Sequence, residues 1–266
     1  MKRKLQLKQL TVVKSETISP NMQRVTLSGE AIKSFAEDSA GQYLKLLFHP
    51  QGGSDLSSLS EEQRPVVRTY TVQALDQSTQ ILSIDFVRHG DAQPSPENGG
   101  YANHWAQHCK VGDSIQLAGP NSNAAIDMNT DSVLLIADMT ALPAMQAKLA
   151  QLPSNTQGTA FVLLKHQADK QSIQTPEGIQ IHWLIEEDNR QTLADVVINH
   201  PWPQGSVAVW CACEFTDMRK IRAYISQLKV PRSNSYFSSY WKQGMTEDGH
   251  KVLKKEDSDA FSHNMK

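Results

Sequence analysis

Arg68-Thr69-Tyr70-Thr71 can hold a flat, phosphorylated ligand if it lies on a strand. Side chains alternate along a strand, so Arg68 and Tyr70 share one face and Thr69 and Thr71 the other. The arginine can neutralise a phosphate and the ring can cover a heterocycle. A hydroxyl or a backbone N–H can reach the heterocycle's edge. An ordinary exposed strand with one arginine and one tyrosine would read the same way, so the tetrapeptide needs supporting features. Asp85-Phe86-Val87-Arg88-His89-Gly90 ends the next apolar run, and Gly100-Tyr101-Ala102-Asn103-His104-Trp105-Ala106 opens a stretch of helical spacing. Small residues at a helix start let a pyrophosphate approach the free N–H groups. His89 can meet a phosphate or a ribose, while Trp105 taken alone reads as core.

Other chemistry finds little support. His104 and His108, four apart on that helix, would need a third ligand nearby to hold a metal, so no metal site is assigned. Glu186-Glu187-Asp188 follows a strand and reads as a solvated loop. Cys109, Cys211 and Cys213 cannot build a disulfide framework: two of them form C-x-C, too close for an ordinary local bridge and too few for a zinc or iron–sulfur site. No Walker sequence, nucleophile elbow or G-x-G-x-x-G occurs.

The elements that must position these residues change character near residue 125. Before it, Leu10–Val13, Met22–Ser28, Tyr43–Phe48, Val66–Leu75, Ile81–Val87 and Ser114–Ala118 read as six strands punctuated by Gly, Pro, Asn and Ser. That pattern predicts a six-stranded antiparallel barrel, with Tyr101–Cys109 as a short capping helix. After it, buried-type strands at Val133–Ala137, Ala160–Leu164, Ile179–Ile185, Val207–Ala212 and Tyr236–Tyr240 alternate with helical stripes. One stripe runs through Leu142, Met145, Leu149 and Leu152, a short one spans Thr192–Asn199, and another runs through Met218, Ile221, Ile225 and Leu228. Alternation of this kind predicts a parallel-sheet α/β domain. The linker His166–Glu177 is polar enough to cross as a loop. The expected division is a barrel domain over 1–125, an α/β domain over 126–245, and a polar tail over 246–266, mobile or a peripheral helix.

The chain's 266 residues suit two domains. Its 26 basic and 28 acidic residues give a formal charge of -2, which argues against nucleic acid as a partner. No apolar run approaches the ~20 residues that span a bilayer, so membrane insertion is not expected. Met1-Lys2-Arg3-Lys4 is basic but is followed by no apolar region, so no signal peptide is read, and a cytoplasmic location is expected.

The order Arg-x-Tyr-Thr, Asp-Phe-Val-x-His-Gly, Gly-x-Ala-x-x-Trp-Ala, then Gly112-Asp113 and Gly119-Pro120, resembles the siderophore-interacting flavoproteins of the ferredoxin-reductase-like superfamily. Leu134-Leu135-Ile136-Ala137-Asp138-Met139-Thr140-Ala141-Leu142-Pro143-Ala144 is similar to that family's nicotinamide-domain opening. Trp210-Cys211-Ala212-Cys213-Glu214 and Tyr240-Trp241-Lys242-x-Gly244 resemble its later motifs, so the likeness runs from about residue 8 to 245. Gln73, Asn121-Ser122 and Cys213 depart from the family pattern, and Lys165 stands near a position where the family commonly has an acidic residue.

The resemblance implies an FAD-binding barrel, an NADPH- or NADH-binding α/β domain, and transfer of electrons through the flavin to the Fe(III) of a ferric siderophore. It implies that Arg68, Thr69, Tyr70 and Thr71 hold the isoalloxazine and its nearest phosphate. Asp85, Phe86, Val87 and His89 would line the flavin tail, and Gly100, Ala102, Asn103 and Trp105 would sit at the pyrophosphate. Thr140, Ala141 and Pro143 would border the nicotinamide cleft, closed by Glu214, Tyr240 and Trp241. Lys45 and Lys242 are candidates for guiding an anionic ferric siderophore; each also reads as a solvated lysine. The flavin carries the redox chemistry, so no catalytic acid–base pair is required. A general NAD(P)H diaphorase and a non-catalytic FAD-containing ferric-siderophore-binding protein are the alternatives.

Overall fold

A computed structural model of the chain describes residues 6–264, apart from residues 61, 91–92, 96–98, 124 and 188–190. The basic run Met1–Lys4 and Asp188 of the acidic cluster lie outside the described residues. The chain divides into two compact units. The first comprises Met1–Ala125 with Pro143–Gln151 and Lys165–Gln174, and the second holds the remainder.

In the first unit, β1 (Lys8–Ser19), β2 (Met22–Ser28), β3 (Tyr43–Phe48), β4 (Val66–Asp76), β5 (Ile81–Val87) and β6 (Ser114–Asn121) form a closed barrel. The strand order is β1-β2-β5-β4-β3-β6, and every neighbouring pair is antiparallel. Alternation drives the closure: Val25 and Leu27, Leu44 and Leu46, Leu82 and Ile84, and Ile115 and Leu117 all turn into one buried core. Helix α1 (Tyr101–His108) adds Tyr101, Ala102, Trp105 and Ala106 to that core. The Trp105 ring meets Phe48 and Phe86 edge-on, with centroids 5.9 Å away in both cases. Burying each such aromatic contributes roughly 1.5–3 kcal/mol.

Strand β1 extends beyond the apolar tetrapeptide that announces it. Its polar half continues pairing with β2 through register shifts at Val12/Lys14 and Thr17/Ser19. Such bulges turn polar side chains outward without ending the ladder.

In the second unit, β7 (Ser132–Asp138), β8 (Gly158–Leu164), β9 (Ile179–Ile185), β10 (Val207–Glu214) and β11 (Ser235–Trp241) form a parallel sheet ordered β11-β10-β7-β8-β9. The helices of this half of the chain are α2 (Leu142–Gln151), α3 (Leu193–Asn199), α4 (Phe215–Gln227) and α5 (Glu247–Asn264). The six residues Val133–Asp138 are all buried, and so are the seven residues Val207–Cys213, as strands covered on both faces require. Between β8 and β9 the described residues hold only a 3-10 turn, Gln167–Asp169, as the polar linker suggests. Helix α3 starts with a reciprocal cap between Thr192 and Asp195, which satisfies two orphan N–H groups.

The polar tail over 246–266 proves to be an ordered helix across most of its length. His250 is buried, with Nε2 2.8 Å from Ser239 Oγ. Lys254 Nζ donates to Ser238 Oγ and Ser239 O, both at 2.9 Å. Asp257 accepts two bonds from Arg222 Nη2, at 2.7 and 2.9 Å, and pairs with Arg219 at 2.8 Å. The Arg222 guanidinium also lies 4.2 Å from the Phe261 ring centroid. Residues 250, 254, 257 and 261 share one helical face. That inward stripe is mostly polar and charged, so hydropathy alone reads it as tail.

Candidate functional site

On β4, Arg68 is buried and Tyr70 half-buried on the barrel-facing side, as alternation requires. Tyr70 lies against Phe86, with ring centroids 4.4 Å apart. The Arg68 guanidinium donates to Val67 O at 2.9 Å and lies 5.3 Å from the ring of Tyr101, the first residue of α1. Thr71 is buried, whereas Thr69 is exposed and pairs across the strands with Lys45.

Arg68 therefore sits beside the start of α1, which has no side-chain cap among the described residues. Gly100 takes the left-handed conformation at φ 71° and supplies no side-chain cap. A Cβ there would meet nothing within 4 Å. A glycine-led helix start beside a buried arginine suits an anion. A half-buried tyrosine ring suits the flat end of the same ligand. These residues fit FAD.

The sequence-predicted residues divide by what their side chains do. Asn103 is buried and clamps the loop after β5: it accepts from His89 N at 3.1 Å and donates to His89 O at 2.8 Å and Gly90 O at 3.0 Å. Phe86, Ala102 and Trp105 belong to the barrel core, and Trp105 Nε1 donates to Ser54 Oγ at 3.1 Å. Their side chains support the site rather than line it. Asp85 is taken up by Arg24, which bonds both carboxylate oxygens at 2.6 and 2.8 Å. Val87 is half-buried at the strand's end.

Burial and the nearby Lys165 charge lower the His89 imidazole from its ordinary value. Near pH 7 it is therefore mostly neutral and able to donate to a ribose or phosphate oxygen. Lys165 Nζ lies 3.4 Å from Arg88 O. The segment carrying Lys165 is fastened by Asp169, which has no exposed surface and accepts from Ser19 Oγ, Asn21 N, Asn21 Nδ2 and His166 N at 2.7–3.1 Å.

In the second unit the carboxyl ends of β7, β10 and β11 lie side by side. This edge of a parallel sheet is where ligands bind. Asp138 ends β7 and is buried. Its Oδ1 accepts from Thr140 N at 2.8 Å and Thr140 Oγ1 at 2.5 Å, and its Oδ2 accepts from Trp241 Nε1 at 2.7 Å. Burial raises the Asp138 carboxyl above its ordinary value, against those hydrogen bonds. Ala141 is buried just before α2; Pro143, which belongs to the first unit, is buried in that helix's first turn, where a missing N–H is tolerated.

Glu214 caps α4, accepting from Thr216 N and, at 3.3 Å, from Asp217 N. Its other oxygen meets Lys242 Nζ at 3.1 Å and Gln243 N at 3.2 Å. Burial opposes its charge, but these donors outweigh it and lower its pKa. Lys242 also donates to Thr216 Oγ1 at 3.0 Å. Of the two lysines nominated for an anionic substrate, Lys242 is thus held by a carboxylate. Lys45, on β3, has no hydrogen-bond or ion-pair partner among the described residues. Tyr240 is half-buried, and Trp241 is 40% exposed.

Sequence reasoning passed over Arg24, Asp138 and Asp169 as functional groups. Asp138 carried a usable signal, an acidic residue closing the apolar run Val133–Ala137. Arg24 carried none, because its partner lies 61 residues away, and neither did Asp169, whose bonds to Ser19 and Asn21 span about 150 residues. On α1, His108 Nδ1 lies 2.8 Å from His104 O and the two rings stack at 4.2 Å. Among the described residues no group of three or more His, Cys, Asp or Glu side chains could hold a metal. No described helix is long and apolar enough to cross a membrane.

Comparison with known proteins bears on both halves. Residues 11–124 match the model of the siderophore-interacting FAD-binding domain, and residues 130–244 match that of the siderophore-interacting protein. The chain is 31% identical over 254 residues to ferric vibriobactin reductase ViuB of Vibrio cholerae, covering 91% of each chain. It is 28% identical over 195 residues to the NADPH-dependent ferric-chelate reductase of Escherichia coli, covering 69% of this chain and 73% of the other. The crystal structure of the siderophore-interacting protein SipS from Aeromonas hydrophila is similar with a TM-score of 0.81 at 25% identity, covering 96% of this chain and 99% of that one. Likeness over nearly the whole of a relative's length, together with matches in both halves, shows that the chain belongs to the siderophore-interacting protein family.

Proposed function

We propose that the protein is an FAD-dependent ferric-siderophore reductase, fed by NADPH or NADH and working in the cytoplasm. The observation that carries this reading is the corner formed by Arg68, Tyr70 and the glycine-led start of α1. Relatives named as ferric-siderophore and ferric-chelate reductases support it.

The overall balance is one NAD(P)H and two Fe(III) giving NAD(P)+, a proton and two Fe(II). FAD, when bound, would supply the chemistry that matches a two-electron donor such as a nicotinamide to one-electron acceptors such as Fe(III). The chain's own residues bind and orient. Arg68 and the start of α1 would hold the diphosphate. Tyr70 covers the ring system, and Thr71 or its backbone N–H bonds the ring's edge. His89, held by Asn103, meets the tail as a neutral donor. Thr140 and Ala141 receive the nicotinamide nucleotide, and Glu214, Tyr240 and Trp241 close over it. Oxygen chelators hold Fe(III) better than Fe(II), so reduction loosens the complex.

The capture of Lys242 by Glu214 favours a second reading, a general diaphorase with no dedicated iron ligand. The test is anaerobic turnover of FAD-loaded protein with NADPH or NADH and a ferric siderophore, with Fe(II) trapped by a coloured chelator. Fe(II) formation at one per electron supplied is expected, with a KM for the siderophore that rises with salt. Absence of Fe(II) despite flavin reduction would overturn the siderophore assignment.

A further inference from the structure

Asp138 is a buried carboxylate with no cation paired to it among the described residues. Enclosing such a charge is costly unless hydrogen bonds compensate it. Its compensation comes from Thr140 N, Thr140 Oγ1 and Trp241 Nε1, and the Glu214 backbone N–H also favours its charged form. One buried group therefore gathers the chain just past β7, the end of β10 and the end of β11. One of the groups it holds, Trp241, is one of the few large hydrophobic residues left exposed among the described residues. An indole anchored at Nε1 by a buried carboxylate cannot pivot freely, so the direction of its exposed face is set.

We propose that Asp138 is a positioning residue: through Trp241 Nε1 it fixes the indole as one wall of the site for a nicotinamide nucleotide. The inference rests on the reading that this sheet edge receives NAD(P)H. Asp138 does not touch the reacting atoms. It sets the angle of a ring that packs against the nucleotide, so its loss acts on nucleotide binding through Trp241. The carboxamide of Asp138→Asn can accept from Trp241 or from Thr140, but not from both. Trp241→Phe keeps an aromatic ring and removes the anchor from the other end.

The test uses FAD-loaded protein and calorimetric titration with NADP+ and NAD+, alongside steady-state kinetics. Asp138→Asn and Trp241→Phe should each weaken binding of the preferred nucleotide about tenfold, the scale of one hydrogen bond to a charged group. KM should rise by more than kcat falls. In a Trp241→Ala background, Asp138→Asn should have no further effect on nucleotide affinity. Full additivity in that background, or unchanged nucleotide affinity in Trp241→Phe, would overturn the proposal. Trp241→Phe alters a partly exposed residue and keeps the test open if Asp138→Asn fails to fold. Wild-type protein that binds neither nucleotide would refute the functional reading instead, whereas wild-type binding matched by both variants would refute only the positioning role.

Discussion

Replacing Asn103 with alanine should weaken FAD binding while sparing riboflavin. The buried carboxamide makes three bonds to the backbone of His89 and Gly90, at 3.1, 2.8 and 3.0 Å. It also accepts from Gln107 Nε2 at 3.0 Å. Each such bond contributes ~0.5–1.5 kcal/mol net, so the variant should lose about 2–3 kcal/mol of stability. The ligand feels only the part that orders the loop. We take that part as ~1.5 kcal/mol, about a tenfold weaker Kd for FAD. On the proposed placement riboflavin, lacking the diphosphate and adenosine, would not reach His89 and should lose less than twofold. The assay is quenching of flavin fluorescence on titrating deflavinated protein with FAD, FMN and riboflavin. Asn103→Asp should lose more FAD affinity than Asn103→Ala, since it turns a carboxylate toward two carbonyls near a diphosphate. Equal losses for FAD and riboflavin would reduce Asn103 to a fold residue. An unchanged FAD affinity would remove the loop from the site altogether.

Arg24→Ala leaves the Asp85 carboxylate, whose side chain is 1% exposed, without its cation, and should cost ~3–5 kcal/mol in denaturant unfolding. Arg24→Leu combined with Asp85→Leu should recover most of that loss, and no recovery would mean that packing matters there rather than charge. The His250 imidazole is lowered to about 4, first by burial and then by the Lys254 and Lys251 charges. The unfolded chain therefore binds the extra proton between about 6.5 and 4, and stability falls as pH drops through that window. His250→Gln should flatten the melting temperature across the same range, and an unchanged slope would exclude His250 as its source. Lys45→Ala with Lys242→Ala should raise the apparent KM for an anionic ferric siderophore and flatten its salt dependence. Because Glu214 holds Lys242, most of that effect should already appear in Lys45→Ala alone; equal contributions from the two single variants would contradict the observed pairing.

The barrel was legible because its code is local. Met22–Ser28, Tyr43–Phe48 and Ile81–Val87 match their strands end to end, since alternation marks both faces of a half-buried strand. The α/β half was legible for the complementary reason: β7 and β10 are covered on both faces and read as unbroken apolar runs. Helix α5 was not legible as an anchored element, because it docks through His250, Lys254 and Asp257, residues that composition assigns to solvent. Within the site, residue types pointed to Arg68, Tyr70 and the glycine before α1. Pairings that depend on long sequence separation were invisible. Asp85 reads as a ligand group until Arg24 is seen across the β2–β5 ladder, and Asp138 reads as a strand terminus until Trp241, 103 residues later, reaches it. The same holds for Phe86 and Trp105, whose aromatic rings suit a ligand wall equally well until both are found in the barrel core.

The central claim is that electrons pass from a nicotinamide through this protein's flavin to ferric iron. An anaerobic visible spectrum of the FAD-loaded protein tests it most directly, recorded alone, after NADPH or NADH, and after a ferric siderophore. The account predicts flavin bands that bleach with the nicotinamide and return on adding the ferric complex, with Fe(II) formed in step. Bands that bleach but do not return would leave a general diaphorase, and bands that never bleach would leave a binding protein. A protein that takes up no FAD at all would contradict the account at its base.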